Sequence, residues 1–438
     1  MARSTLGAGS RVTLPYGRSR LDVAYDPERF EVLRPSSSER PEMDGAALLA
    51  RLDRPLGAPP LDQAAGAGGK VCIVVPDATR ACGSARVAPL LLKTLSGLGV
   101  SDCRIEFLVG AGTHRPPTAE EIDRIVGPDV ARRVAVHHHD ALDAAAHVRL
   151  GVTSRGTPVE LNRRLVEADC VILVGAIGFH YFAGFSGGRK ALLPACASQG
   201  SIQANHLLAF DRITLSRAAG VESGRLDGNP VSEDMEEAAG LFGPAFLVNT
   251  VLDGENRITG LYVGDLRDAH RRGCADYLET HSVAAPGRRP LVVTSCGGAP
   301  RDINMIQSHK ALEHARVVLE DGGDLVLLAE CPEGLGRPDF LDWFMPGGSE
   351  ATARKLVENY KINGQTAWGI RWKSERYRVR LVSSLDGDVV RAMGMIPHAS
   401  LGEALEASGD APGYIIPNGL GTLPLVPSLS GQPAAAGA

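Results

Sequence analysis

Three short apolar runs, spaced by helical patterns, limit the folds open to this chain more than any other feature. KVCIVVPD (residues 70–77) is β-branched and stops at Pro-Asp, and CRIEFLVGAGTH (103–114) and ADCVILVGAIGFH (168–180) share its character. Runs of this length bounded by Gly, Pro or Asp read as buried strands. Between them, RVAPLLLKTLSGLG predicts a helix with Gly near its end, and PTAEEIDRIVG predicts a second with Thr118 as its cap. ARRVAVHHHD predicts a further strand. Strands alternating with helices build a parallel sheet covered on both faces.

The pattern then repeats. AAPGRRP, around residues 282–290, reads as a linker. PLVVTSCGG follows as strand, INMIQSHKALEHARVVL as helix, and GDLVLLAE and YRVRLVSSL as strands. A chain of 438 residues exceeds what one core usually holds. The expectation is therefore an α/β protein of two α/β domains with mostly parallel sheets and an active-site cleft between them. The first spans 1–283, with the strand-like GYIIPNGLGTLPLV leading 412–438 back to it; the second, smaller domain spans 284–411. Residues 35–69 hold one short helical patch, ALLARL, and the first ten and last eight residues read as loose tails.

Bulk properties exclude several classes. A net charge of −5 gives no electrostatic case for nucleic acid or an anionic membrane. No apolar run approaches the roughly 20 residues of a membrane span, and the opening MARSTLGAGSRVTLPYG lacks the apolar core of a signal peptide. Eight scattered cysteines without a CxxC pair indicate reduced thiols and a cytoplasmic protein, not a disulfide scaffold or structural zinc site.

Ligands of parallel sheets bind beyond the carboxyl ends of the strands, and three such ends carry reactive groups: Asp77 and Arg80, then His114, then His180. The stretch Asp77-Ala78-Thr79-Arg80 is either a turn capping the next helix or a site where Arg80 offers its planar fork to a carboxylate or phosphate. His114 sits between Gly-Ala-Gly-Thr and Arg-Pro-Pro, flanks that demand a special loop, and is read as functional. HHHD (137–140) can converge only His137 and His139, because neighbours on a strand alternate faces. It reads as a solvated strand end.

GFHYFAGFSGGRK (178–190) is the richest segment. His180 ends a strand, Ser186-Gly187-Gly188 suit an anion-binding nest, and Lys190 closes it. GFSGGRKA does not match GxxxxGK[ST], which disfavours a nucleotide triphosphatase. SQGSIQANH (198–206) predicts a helix, and its His206 is either structural or, if aimed at a group tethered on Lys190, a ligand for nickel, copper or zinc. Gln307 and Lys310 share one face of a predicted helix. Trp368, in GQTAWGI, reads as packing or site.

Together LPYG (14–17), DATR (77–80), GTHRPPT (112–118), HYFAGFSGGRK (180–190), Asn205-His206 and the Gln307–Lys310 pair resemble the nickel-dependent lactate racemase family. The resemblance spans most of the chain, and FAGFSGGRK is its most specific part. It implies a nickel-pincer nucleotide, a pyridinium mononucleotide with thioamide and thiocarboxylate arms, attached covalently at Lys190 in the first domain. His206 would ligate the nickel; His114 and His180 would be the acid/base pair. Arg80, Gln307 and Lys310 would meet the substrate carboxylate. Asp77, Thr79, Ser186, Gly187, Gly188 and Trp368 would lie at the cofactor. The implied reaction is racemisation or epimerisation of a 2-hydroxy acid by reversible hydride transfer through a 2-keto acid, with cofactor biosynthesis proteins as partners. Ile306 stands where lactate racemases are expected to carry an aromatic, and His309 adjoins Lys310, so another 2-hydroxy acid is an equal expectation. A cofactor-carrying or maturation protein without turnover is the alternative, but carriage needs only Lys190, His206 and the nest. A zinc or pyridoxal-phosphate lysine enzyme is a further rival.

Overall fold

Val71–Pro76, the first of the predicted strands, lies in the middle of a six-stranded sheet. Its order is Ile258–Asp265, Phe246–Leu252, Cys170–Ala176, Val71–Pro76, Ile105–Gly110 and Ala135–His138, parallel except where Ile258–Asp265 pairs with Phe246–Leu252. Burial on both faces explains why these strands read as continuous apolar runs and not as alternating ones. Helices Ser84–Gly97 and Ala119–Val126 follow their strands as predicted, and Thr118 caps the second in a reciprocal capping box with Glu121. Ile73, Val75, Phe107, Ile172 and Leu91 meet in the core.

The structure, a computed structural model, describes residues 10–36, 40–65 and 69–427. Of the expected loose tails, residues 1–9 and 431–438 lie outside the described residues, and Ser10 opens a strand. The chain divides into two compact units. A central unit holds Ser37–Ala209 and Ala218–Thr280; a terminal unit gathers the chain up to Ser36, the hairpin Phe210–Arg217 and everything from His281.

The terminal unit is built on a second six-stranded sheet, all parallel: Ile396–His398, Arg378–Val382, Leu319–Leu328, Arg289–Ser295, Gly413–Ile416 and Phe30–Val32. This corrects the expected domain assignment at both ends. Gly413–Ile416 pairs with Arg289–Ser295 instead of returning to the first domain, and Phe30–Val32 pairs with Gly413–Ile416. Val12, Leu14 and Phe30 are buried with Leu291, Val326 and Ile415. The strand Leu423–Leu425 likewise pairs with Ser282–Ala284. The helix predicted over 303–319 is also divided, into Met305–Ser308, Lys310–Ala315 and a tight turn Arg316–Val318. At His309 the chain tightens to an i→i+3 bond, Leu312 N to His309 O at 3.1 Å.

Candidate functional site

Strand order explains where the reactive side chains meet. From Val71–Pro76 the central sheet grows through Ile105–Gly110 to Ala135–His138, and the chain then crosses back to Cys170–Ala176 on the other side of Val71–Pro76. Such a reversal opens a crevice at the carboxyl ends of the two strands that part. Asp77, Thr79 and Arg80 follow one of them, and His180 follows the other. His114 leaves the neighbouring strand Ile105–Gly110.

Asp77 is buried and its carboxylate is fully engaged. Oδ2 lies 2.5 Å from Nδ1 of His114, while Oδ1 accepts the Thr79 amide at 2.9 Å and the Thr79 hydroxyl at 2.6 Å. A carboxylate only accepts, so Nδ1 of His114 carries the proton and Nε2 keeps its lone pair. Burial pushes the Asp77 carboxyl up, but the hydrogen bond and charge of His114, the Thr79 hydroxyl and Arg80 outweigh it and hold it below its usual value. Asp77 and Thr79, expected at the cofactor, orient a histidine here. Arg115 pins the loop after His114 by two 2.7 Å bonds to Glu121.

His180 has the opposite arrangement. The Ala183 amide donates to its Nδ1 at 3.2 Å, so the neutral ring carries its proton on Nε2. Next to it Phe182 is the ring around which the site gathers. Its centroid lies 4.4 Å from that of His180, 4.8 Å from that of His206 and 5.3 Å from Nζ of Lys190. Burial, with the charges of Arg80 and Arg189, holds the Lys190 amine well below its usual value. His206 is buried on helix Gln199–Leu207, and its Nδ1 makes no hydrogen bond of good geometry, although the Ile202 backbone interacts with the ring. Burial and the Lys190 charge push it down to about 3, so the imidazole is neutral at physiological pH.

Two of the three amides of the predicted anion nest before Lys190 are engaged within the protein. The Ser186 amide donates to Gly178 O at 2.8 Å and the Gly188 amide to Asn249 Oδ1 at 2.7 Å, so these donors are already used. Gly187 and Gly188 have φ of +76° and +56°. A Cβ at Gly188 would stand 2.5 Å from the His270 ring, so close packing demands glycine. HHHD departs from the expected solvated strand end only at His139, since His138 and Asp140 are exposed. His139 is buried, with Nε2 at 3.0 Å from Ala197 O and Nδ1 at 3.1 Å from Asn162 Nδ2, because alternation turns it inward. Among the described residues no group of three His, Cys, Asp or Glu side chains forms a metal-ligand set.

In the terminal unit, Lys310 Nζ donates to Gln307 Oε1 at 2.5 Å, which joins the predicted pair. His309 is buried and bonds Ile306 O at 2.7 Å; burial, then Lys373 and Lys310, push it down to about 3. Trp368 packs edge-on against Phe210, with centroids 5.2 Å apart. Sequence reasoning missed Phe182, Asn249 and the partnership of Asp77 with His114. The aromatic pair after His180 was the only local signal for any of them.

Fold and site together describe a two-unit α/β protein with a cluster of titratable side chains at the switch point of its central sheet. Residues 16–215 match the lactate racemase N-terminal domain family and residues 286–423 the lactate racemase C-terminal domain family. Lactate racemase of Thermoanaerobacterium thermosaccharolyticum is 30% identical over 431 residues, covering 94% of this chain and 99% of the relative. Lactate racemase of Lactiplantibacillus plantarum is 30% identical over 430 residues, with the same coverage. The structure of the lactate racemase apoprotein from T. thermosaccharolyticum superposes with a TM-score of 0.86 at 29% identity, covering 95% of this chain and all of that one. A Thermotoga maritima protein at 19% identity shares the fold, with a TM-score of 0.70. The chain belongs to the lactate racemase family, and these relatives support a racemase function. No helix of the described residues is long and apolar enough to cross a membrane.

Proposed function

We propose that the chain is a racemase or epimerase of a 2-hydroxy acid that carries a nickel-pincer nucleotide covalently on Lys190. The observation that carries this reading is the gathering of His180, Lys190 and His206 around the single ring of Phe182. The residues fit such a group. Lys190 is an amine that burial and two neighbouring cations bias toward its neutral, nucleophilic form. His206 is a buried, neutral imidazole, suited to nickel. Among the described residues no three-residue ligand set is found, so the remaining donors would come from the organic group.

When bound, the nickel-pincer nucleotide supplies a reversible hydride acceptor, which spares the enzyme a carbanion at the weakly acidic C2. The protein's own part is proton handling and grip. His114, held by Asp77 with its Nε2 lone pair outward, is poised to take the hydroxyl proton of one enantiomer. His180 presents Nε2–H toward the oxygen in its mirror-image position, and only the doubly protonated ring, with Nδ1 released from the Ala183 amide, can give up that proton as an acid. To act as the base for the other enantiomer, His180 must give up the Ala183 amide. Arg80 is the carboxylate ligand beside the pair.

Protein produced together with cofactor biosynthesis proteins should show a mass adduct that Lys190→Ala lacks, and should remove the optical activity of at least one 2-hydroxy acid. Full racemisation by unmodified wild-type protein would refute the tether.

A further inference from the structure

One buried turn with no part in the proposed chemistry holds all three segments that have one. It is the first turn of helix Pro230–Phe242. Its cap, Asn229, accepts the Val231 and Ser232 amides through Oδ1 at 3.1 and 3.3 Å, and donates Nδ2 to Phe182 O at 3.0 Å. Ser232 receives Arg189: Nη2 donates to its hydroxyl at 2.9 Å and Nε to its carbonyl at 3.3 Å. The same guanidinium donates to Ala183 O at 3.1 Å and meets His270 Nδ1 at 3.3 Å. Because a guanidinium only donates, His270 must accept there and carry its proton on Nε2, 3.0 Å from Ser186 O. Asp234, on the other side of the turn, accepts Asn205 Nδ2 at 2.8 Å and the Thr153 hydroxyl at 2.5 Å, and Asn205 also donates to Val231 O at 3.2 Å.

Asn229, Ser232, Asp234 and Asn205 have no solvent exposure. Buried polar groups lose heavily when a partner is removed, so these bonds restrict position strongly. Their far ends are the carbonyls of Phe182 and Ala183, just after His180; Arg189, just before Lys190; and Asn205, just before His206.

We propose that the first turn of Pro230–Phe242 is a common anchor that sets the spacing of His180, Lys190 and His206, with Ser232 and Asp234 as positioning residues. Its functional meaning rests on the reading of Lys190 as tether and His206 as nickel ligand; its structural content does not.

Ser232→Ala and Asp234→Asn, combined in one chain, test it in two states. In the apoprotein, hydrogen exchange followed by mass spectrometry should show peptides covering 180–190 and 199–207 losing protection together, by about tenfold. Peptides covering the strands 105–110 and 170–176 should keep theirs. In the loaded protein the Lys190 adduct should persist, while nickel retained per adduct after chelator dialysis falls about tenfold and the nickel absorption band shifts. Leu48→Ala, a core change far from the turn, should lower the melting temperature without altering nickel per adduct. An exchange increase confined to the turn itself, with unchanged nickel per adduct, overturns the anchor. A wild type without an adduct refutes the tether instead, and the exchange measurement still decides the anchor.

Discussion

Asp77 and His114 illustrate how much one hydrogen bond decides at the scale of a residue. A carboxylate on Nδ1 leaves the lone pair of His114 on Nε2. In Asp77→Asn an amide can donate where the carboxylate accepted, which favours the other tautomer and turns the base into a donor. We expect kcat to fall by about 10²–10⁴-fold with the Lys190 adduct intact. Steady-state kinetics with an intact-mass control checks this, and a loss below about threefold would remove Asp77 from the role. Both residues were visible in the sequence as strand-end groups. Their contact was not, since they stand 37 positions apart in different loops. Ala183, which holds His180, gave no signal at all, because its donor is a backbone amide.

Among the elements, the loop before Lys190 shows why a motif can be recognised for one reason and used for another. Ser-Gly-Gly suggested open amides; the structure instead commits those of Ser186 and Gly188 and uses the missing side chains for contact with Asn249 and His270. Gly188→Ala adds a Cβ into the His270 ring at a positive φ. Backbone strain and overpacking each cost about 1–3 kcal/mol, so urea unfolding should show a loss of about 2–6 kcal/mol. Wild-type stability in that variant would mean the loop relaxes freely. The cap at Thr118 was legible because its signal is local; its reciprocal bond with Glu121 emerged only in the structure. The break at His309 was not legible, since apolar periodicity runs through it unchanged.

At the scale of the whole molecule, five buried histidines make stability depend on pH. Burial, the leading cause for each, pushes His139 and His314 down to about 4 and His206, His270 and His309 down to about 3. In the unfolded chain they titrate near about 6.5. Below that value the unfolded state binds more protons, so stability is full above about pH 6.5 and is lost as pH falls from there toward the folded values. Each contributes at most about 1.4 kcal/mol per pH unit. The urea midpoint of the apoprotein should therefore drop between pH 7 and pH 5; a flat midpoint would contradict neutral burial.

What the sequence determined by itself was whatever short-range chemistry can encode. Apolar runs such as KVCIVVPD and their alternation with helices specify parallel α/β sheets, and the reactive residues at strand ends follow from where those runs stop. Tertiary structure alone decided the pairing of Gly413–Ile416 with Phe30–Val32, the gathering around Phe182 and the anchoring turn at Asn229–Asp234. Strand edges and buried hydrogen-bonding groups accept any partner of suitable geometry. Which distant segment satisfies them is therefore settled only when the whole chain packs.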